Sequence, residues 1–256
     1  MSPRHPYFDN GGRPVALAHR GFSLEGLENS MKAFQAAVDL GYRYLETDAH
    51  GTSDDVAVAL HDSTLDRTTD ATGEAADHPW SRVKAARIGG VEPVPRLEDI
   101  LGTWPDVKVN IDVKGESGIG PIAAAIERTK AHDRVCVGSF SADRRRATLK
   151  LLSKPVATPA SQREAIAWWL GVWTKADASA SLGDVDALQI PWRNGPVPFI
   201  GRRHIDAAHA AGREVHIWTV NRRDHMEHLL DLGVDGLVSD RADILKDVLI
   251  ARGQWA

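Results

Sequence analysis

Four short clusters carry side chains that could do chemistry together: His19-Arg20-Gly21, Glu46-Thr47-Asp48, His61-Asp62 and Asp112-Val113-Lys114. Strand side chains alternate, so Glu46 and Asp48 share one face of their run, as do Asp112 and Lys114. Three carboxylates packed together repel one another unless a cation neutralises them. The oxygen donors of Glu46, Asp48 and Asp112 suit one hard divalent ion such as magnesium or calcium, and the chain lacks the dense His/Cys set of a zinc site. Near such an ion, His19 and His61 can act as general base and general acid in one displacement. Arg20 can fork onto two phosphate oxygens, and Lys114 adds a point charge. A metal trap, an acid/base pair and anion clamps make up the inventory of phosphoester cleavage, whose barrier is mainly developing charge and misorientation. Trp218, near the end of its run, either walls a pocket or fills a core layer.

Each cluster also admits a structural role. A lone histidine can be a satisfied polar residue, Glu-x-Asp a cap with a surface carboxylate, and Asp-x-Lys a rim ion pair. The functional alternative gains because all four clusters fall at the same end of consecutive strands. Other titratable residues are assigned no chemistry. His132, His204, His209, His225 and His228 lie in helical or turn stretches and are expected at the surface. His50 and His78 lack a carboxylate partner in sequence, and Asp235 and Asp240 are expected as turn and cap residues. Ser139-Phe140 follows the fourth run and is expected near the mouth.

The elements that must position these groups alternate in type. Strand-like runs cover Val15 to Ala18, Tyr44 to Asp48, Lys108 to Val113, Arg134 to Ser139, Val156 to Pro159, Ala187 to Pro191, Glu214 to Val220 and Gly236 to Ser239. Helical patterns separate them: Ser30 to Val38, Leu97 to Trp104, Ile119 to Ala131, Ala142 to Leu152, Arg163 to Val172, Arg202 to Ala211 and Arg222 to Leu232, with Ala242 to Ala251 last. Eight βα units in 256 residues predict an α/β fold of the TIM (β/α)8 barrel type; an open doubly wound sheet is the alternative. In the barrel, carboxylates at the C-terminal ends of neighbouring strands converge at the mouth. Residues 50–107 are too many for one loop and helix. We expect a single domain over 1–256 with a small insertion, about 51–93, between the second strand and its helix.

Composition excludes several classes. Hydrophobic residues make up 43% and charged residues 26%, and the net charge is −4. No basic excess points to nucleic acid, and no apolar stretch spans a bilayer. The first fifteen residues lack the apolar core of a secretory signal, so a cytoplasmic location is expected. The single cysteine, Cys136, sits in an apolar run and reads as a small buried hydrophobe.

Several stretches carry a family likeness, in order along the chain. They are Ala18-His19-Arg20-Gly21, Leu27-Glu28-Asn29-Ser30, Tyr44-Leu45-Glu46-Thr47-Asp48, Leu60-His61-Asp62, Leu65-Asp66-Arg67-Thr68-Thr69 and Asn110-Ile111-Asp112-Val113-Lys114. Val215 to Asn221 and Val234 to Asp240 complete them. This set resembles the glycerophosphodiester phosphodiesterase family. The resemblance implies a TIM barrel with an insertion after the second strand, and magnesium- or calcium-dependent hydrolysis of a small glycerophosphodiester to sn-glycerol 3-phosphate and an alcohol. It also implies His19 and His61 as the acid/base pair and Glu46, Asp48 and Asp112 as metal ligands. Arg20 and Lys114 become phosphate contacts, and Trp218 a substrate-pocket wall. The chain departs from the pattern at Leu27, usually Pro, at Ser30, usually Thr, and at Asp112, commonly Glu. An Asp at that last position resembles the related sphingomyelinase-D-type phospholipases. Phospholipase D-like cleavage of a lysophospholipid or sphingomyelin is therefore one alternative, and a catalytically silent barrel that binds phosphorylated ligands is another.

Overall fold

The protein is described here by a computed structural model over residues 5–174, 178–194 and 197–255. The N-terminal reading falls partly on residues 1–4, outside the described residues. Seven strands lie side by side and parallel, in the order Val135–Gly138, Lys108–Val113, Tyr44–Gly51, Val15–His19, Gly236–Ser239, Glu214–Trp218 and Ala187–Pro191. Two parallel bridges, Cys136 to Ala157 and Pro159 to Ala187, run the segment 156–159 between the two outer strands. Val137 N donates to Ala157 O and Ala160 N to Ala187 O, each at 2.8 Å, so the ring closes as a barrel of eight positions and the open sheet is excluded.

Helices return the chain between strands, at Met31–Asp39, Leu97–Thr103, Ile119–Thr129, Ala142–Leu149, Gln162–Thr174, Arg202–Ala210, Arg223–Leu232 and Ala242–Ala251. Local chemistry sets their ends. Ser30 Oγ accepts from Ala33 N at 3.1 Å and caps the first helix. Gly233 ends the helix before the last strand in the left-handed conformation, at φ +88°. The strands are largely buried on both faces, helices covering one side and the barrel interior the other. Leu17, Leu45 and Ile111 are fully buried. None of the described helices is long and apolar enough to cross a membrane.

One end of the barrel is plugged. The short 3-10 turn Pro6–Phe8 inserts Tyr7 and Phe8 beneath the strand N-termini, where both are buried. Tyr44 Oη donates to Tyr7 O at 2.8 Å and fixes the plug. Burial of two such aromatic side chains stabilises by about 1.5–3 kcal/mol each. The opposite, C-terminal end is left for a cavity.

The long connection after the second strand folds back onto the barrel. Its strand Ala57–Ala59 pairs antiparallel with the end of the second strand, Ala49 to Ala59, His50 to Val58 and Gly51 to Ala57. Beyond it, Leu60, Leu65, Val83 and Ile88 bury one another in a small core of their own. Leu27, from the loop after the first strand, packs into the same core and clamps the two segments together.

Gly21 holds that first loop in shape. Its φ is +83°, and a Cβ there would stand 2.6 Å from the carbonyl carbon of Ala33. Because backbone cannot yield as a flexible side chain can, Gly21→Ala should destabilise by about 2–5 kcal/mol. A urea melt that leaves the midpoint unchanged would contradict this packing.

Candidate active site

Strand register brings the predicted groups level with one another. His19 pairs with Glu46 across the first and second strands, and Asp48 pairs with Asp112 across the second and third. His61 arrives by another route. The antiparallel return of Ala57–Ala59 brings Leu60 N to Asp48 O at 3.0 Å, which delivers the next residue to the rim. His19, Arg20, Glu46, Asp48, His61, Asp112, Lys114 and Trp218 all line one cavity of about 460 Å³ at the C-terminal end of the barrel. Coincident placement at one mouth is what distinguishes a site from a set of rim residues.

The cavity has a charged half and an apolar half. In the charged half, Lys114 Nζ lies 2.9 Å from Asp48 Oδ1 and 2.9 Å from Asp112 Oδ2. Arg20 Nε lies 2.9 Å from Asp48 Oδ2, and its Nη1 reaches Glu28 Oε1 at 2.9 Å. Arg20 and Lys114 are expected as phosphate contacts, with a rim ion pair as the alternative for Asp-x-Lys. The geometry has both cations on carboxylates and at the cavity wall. In the apolar half, Trp218 meets Phe140 edge-on at 5.9 Å, and Ala165, Ile166 and Phe199 continue the wall.

Burial and charge shift the titrations. Glu46 is pushed up to about 7, first by burial and then by repulsion from Asp48, with His19 and Arg20 offsetting part of it. Asp112 is raised, again chiefly by burial. Asp48 goes the other way: burial opposes its charge, but Lys114 and Arg20 outweigh that and lower it. For His19, burial disfavours the imidazolium, and the Glu46 carboxylate with the Asp240 hydrogen bond more than compensates, so its pKa is raised. Carboxyl groups pushed apart in this way suit a site that must take up a cation.

The three carboxylates supply only oxygen donors, which fits a hard divalent ion. No three His, Cys, Asp or Glu side chains among the described residues already stand at metal-ligand spacing. The physical reason is visible in the ion pairs, since Lys114 and Arg20 engage the oxygens of Asp48 and Asp112 that an ion would use. The donor set fits the ion, provided Lys114 swings away from between Asp48 and Asp112.

Several contributors were not assigned from sequence. Asp240, expected to be a cap, has Oδ1 2.5 Å from His19 Nδ1, and Asn221 Nδ2 donates to its other oxygen at 2.7 Å. Asp240 follows the eighth strand, and closure of the barrel sets that strand beside the first. A barrel assignment plus its position was the available signal. Asn29 is a second, with φ +59°; its Oδ1 accepts from Thr47 Oγ1 at 2.8 Å and its Nδ2 reaches Asp48 Oδ2 at 3.4 Å. Arg67 bridges Asp62 and Glu28, and its hydrogen bond holds Asp62 well below the usual carboxylate range. Asp62 Oδ1 in turn lies 2.6 Å from His61 Nδ1.

Two histidines expected at the surface are instead buried. His132 lies 3.1 Å from Glu127 Oε1, and His204 stacks on Trp169. Both lie away from the cavity lining.

Asp240 fixes which nitrogen of His19 faces the cavity. Asp240→Asn should lower kcat by about 10-fold or more, on the scale of other residues that orient a functional histidine. Loss of the carboxylate removes a stabiliser of the imidazolium, so the limb of the pH–rate profile belonging to His19 should move to lower pH. An unchanged profile would contradict the contact.

Comparison with known proteins identifies the family. The model of the glycerophosphoryl diester phosphodiesterase family matches residues 19–244. A Mycobacterium tuberculosis protein called "Probable glycerophosphodiester phosphodiesterase 2" is 46% identical over 257 residues, covering 99% of this chain and 97% of its own. A glycerophosphodiester phosphodiesterase of Agrobacterium tumefaciens superposes with a TM-score of 0.72 at 23% identity, covering 92% of this chain and 98% of its own. An Oleispira antarctica phosphodiesterase, solved with the product sn-glycerol-3-phosphate, has a TM-score of 0.75 at 20% identity over 93% of this chain and 97% of its own. Since the family model runs from His19 through the last barrel strand, and the relative at 46% identity spans both chains almost end to end, the chain belongs to the glycerophosphoryl diester phosphodiesterase family of enzymes.

Proposed function

We propose that the chain, acting as one barrel domain, hydrolyses glycerophosphodiesters to sn-glycerol 3-phosphate and an alcohol with the help of one divalent ion, magnesium or calcium. Convergence of both imidazoles, three carboxylates and two cations on one cavity supports this assignment above any other observation. The product-bound Oleispira relative supports the choice of substrate.

Glu46, Asp48 and Asp112 would hold the ion, which when bound polarises a phosphoryl oxygen and offsets developing charge. Arg20 and Lys114 orient the phosphate, and the apolar wall of Phe140 and Trp218 receives the alcohol portion. One of His19 and His61 takes the proton of the attacking hydroxyl, and the other gives a proton to the departing oxygen. Each imidazole is oriented through Nδ1 by a carboxylate, His19 by Asp240 and His61 by Asp62, which leaves Nε2 to do the transfer.

A lysophospholipid is the second candidate substrate. The apolar half of the cavity could take an acyl chain, and rat lysophospholipase D GDPD1 is 24% identical over 91% of this chain. Release of sn-glycerol 3-phosphate from glycerophosphocholine, assayed beside choline release from lysophosphatidylcholine, separates the two. Faster turnover of glycerophosphocholine is expected, and turnover of lysophosphatidylcholine alone would overturn it.

A further inference from the structure

The helix Gln162–Thr174 runs along the cavity edge and is largely apolar on the side that faces outward. Ala165 and Trp168 are buried, while Arg163, Ile166, Ala167, Leu170 and Trp173 are exposed at three- and four-residue spacing. Leu170 and Trp173 are 52% and 51% exposed. A surface helix normally turns charged side chains outward, so a stripe of this kind marks an interaction surface.

Ring contacts pack the stripe against its neighbours, and two arginines flank it. Trp169 stacks on Phe199 at 5.1 Å and donates Nε1 to its carbonyl at 2.6 Å, while its other neighbour His204 meets Trp173 edge-on at 5.5 Å. The Arg203 guanidinium lies 4.4 Å from the Trp173 ring centre. Among the described residues, neither Arg163 nor Arg203 has a carboxylate partner. Basic character here stands against a net charge of −4 for the chain. A second copy docked face to face by a twofold axis would bring these arginines against their own kind. Indole, leucine and isoleucine between arginines match the apolar boundary and phosphate layer of a lipid surface. The stripe is also continuous with the cavity, because Ile166 belongs to both.

We propose that this face docks the protein on an anionic lipid surface, with the cavity mouth held at the headgroup layer. The proposal concerns where the protein sits rather than what it cleaves, and vesicle partition tests it without turnover. Sedimentation of the full chain with vesicles of phosphatidylcholine containing phosphatidylglycerol should show binding, with much less to phosphatidylcholine alone. The double variant Leu170→Ser/Trp173→Ser should partition about tenfold or more weakly, given the apolar area it removes. Arg163→Gln/Arg203→Gln should bind several-fold more weakly, and added salt should weaken the wild type alike. Hydrolysis of soluble glycerophosphocholine should be unchanged in both variants, which also reports their folding. Three results would overturn the proposal: no vesicle binding by the wild type, equal binding by the Leu170/Trp173 variant, or a solution dimer that this variant dissociates.

Discussion

Replacing either His19 or His61 by Ala should lower kcat on glycerophosphocholine by about 10²–10⁴-fold, the range expected when a true proton carrier is lost. On the proposed mechanism the two imidazoles serve different halves of one displacement, so the double variant should be little worse than the poorer single one. Non-additivity of this kind marks residues that act as a unit. His61→Ala should leave the fold intact, because His61 is partly exposed and held chiefly by Asp62. His19→Ala frees the buried Glu46 from a favourable neighbour, so some loss of stability accompanies its loss of rate. Thermal melts of both variants separate these effects. Near-wild-type turnover in both would remove the histidines from the chemistry.

Chelation is expected to remove nearly all turnover, and added magnesium or calcium to restore it. Glu46 gives this dependence a pH signature. Its carboxyl titrates at about 7, so below that pH it holds a proton that an incoming ion must displace. Ion affinity should therefore fall as pH drops through 7, by up to about tenfold per unit if one proton is released, and level off above it. Calorimetry at pH 6 and pH 8 checks the sign. Affinity independent of pH would take Glu46 out of the ligand set, and full activity in chelator would take the ion out of the mechanism.

Much of the site was legible because strand periodicity is simple. Glu46 with Asp48, and Asp112 with Lys114, share faces by alternation alone, and placing them at strand ends sends them to the barrel mouth. The fifth barrel position was legible for a different reason: Val156 to Pro159 is mostly apolar and falls at the right interval, though only isolated bridges, Cys136 to Ala157 and Pro159 to Ala187, pair it with its neighbours. What stayed hidden depends on closure and on long-range partners. Asp240 is 221 residues from His19, and nothing local distinguishes it from a helix cap. His132 and His204 occupy helical or turn stretches like any surface residue. Their burial follows from Glu127 in one case and from the Trp169 and Phe199 stack in the other. The ion pairing of Lys114 with both Asp48 and Asp112 needed the register of two strands, which no single stretch encodes.

Phosphorus nuclear magnetic resonance can follow glycerophosphocholine in the presence of the purified protein and magnesium or calcium. With either ion, the diester resonance is expected to decay catalytically as the monoester resonance of sn-glycerol 3-phosphate grows, and the His61→Ala sample should stay nearly unchanged over the same time. A diester signal that persists with both ions, or that decays equally in the variant, would contradict a phosphodiester-cleaving site at this end of the barrel.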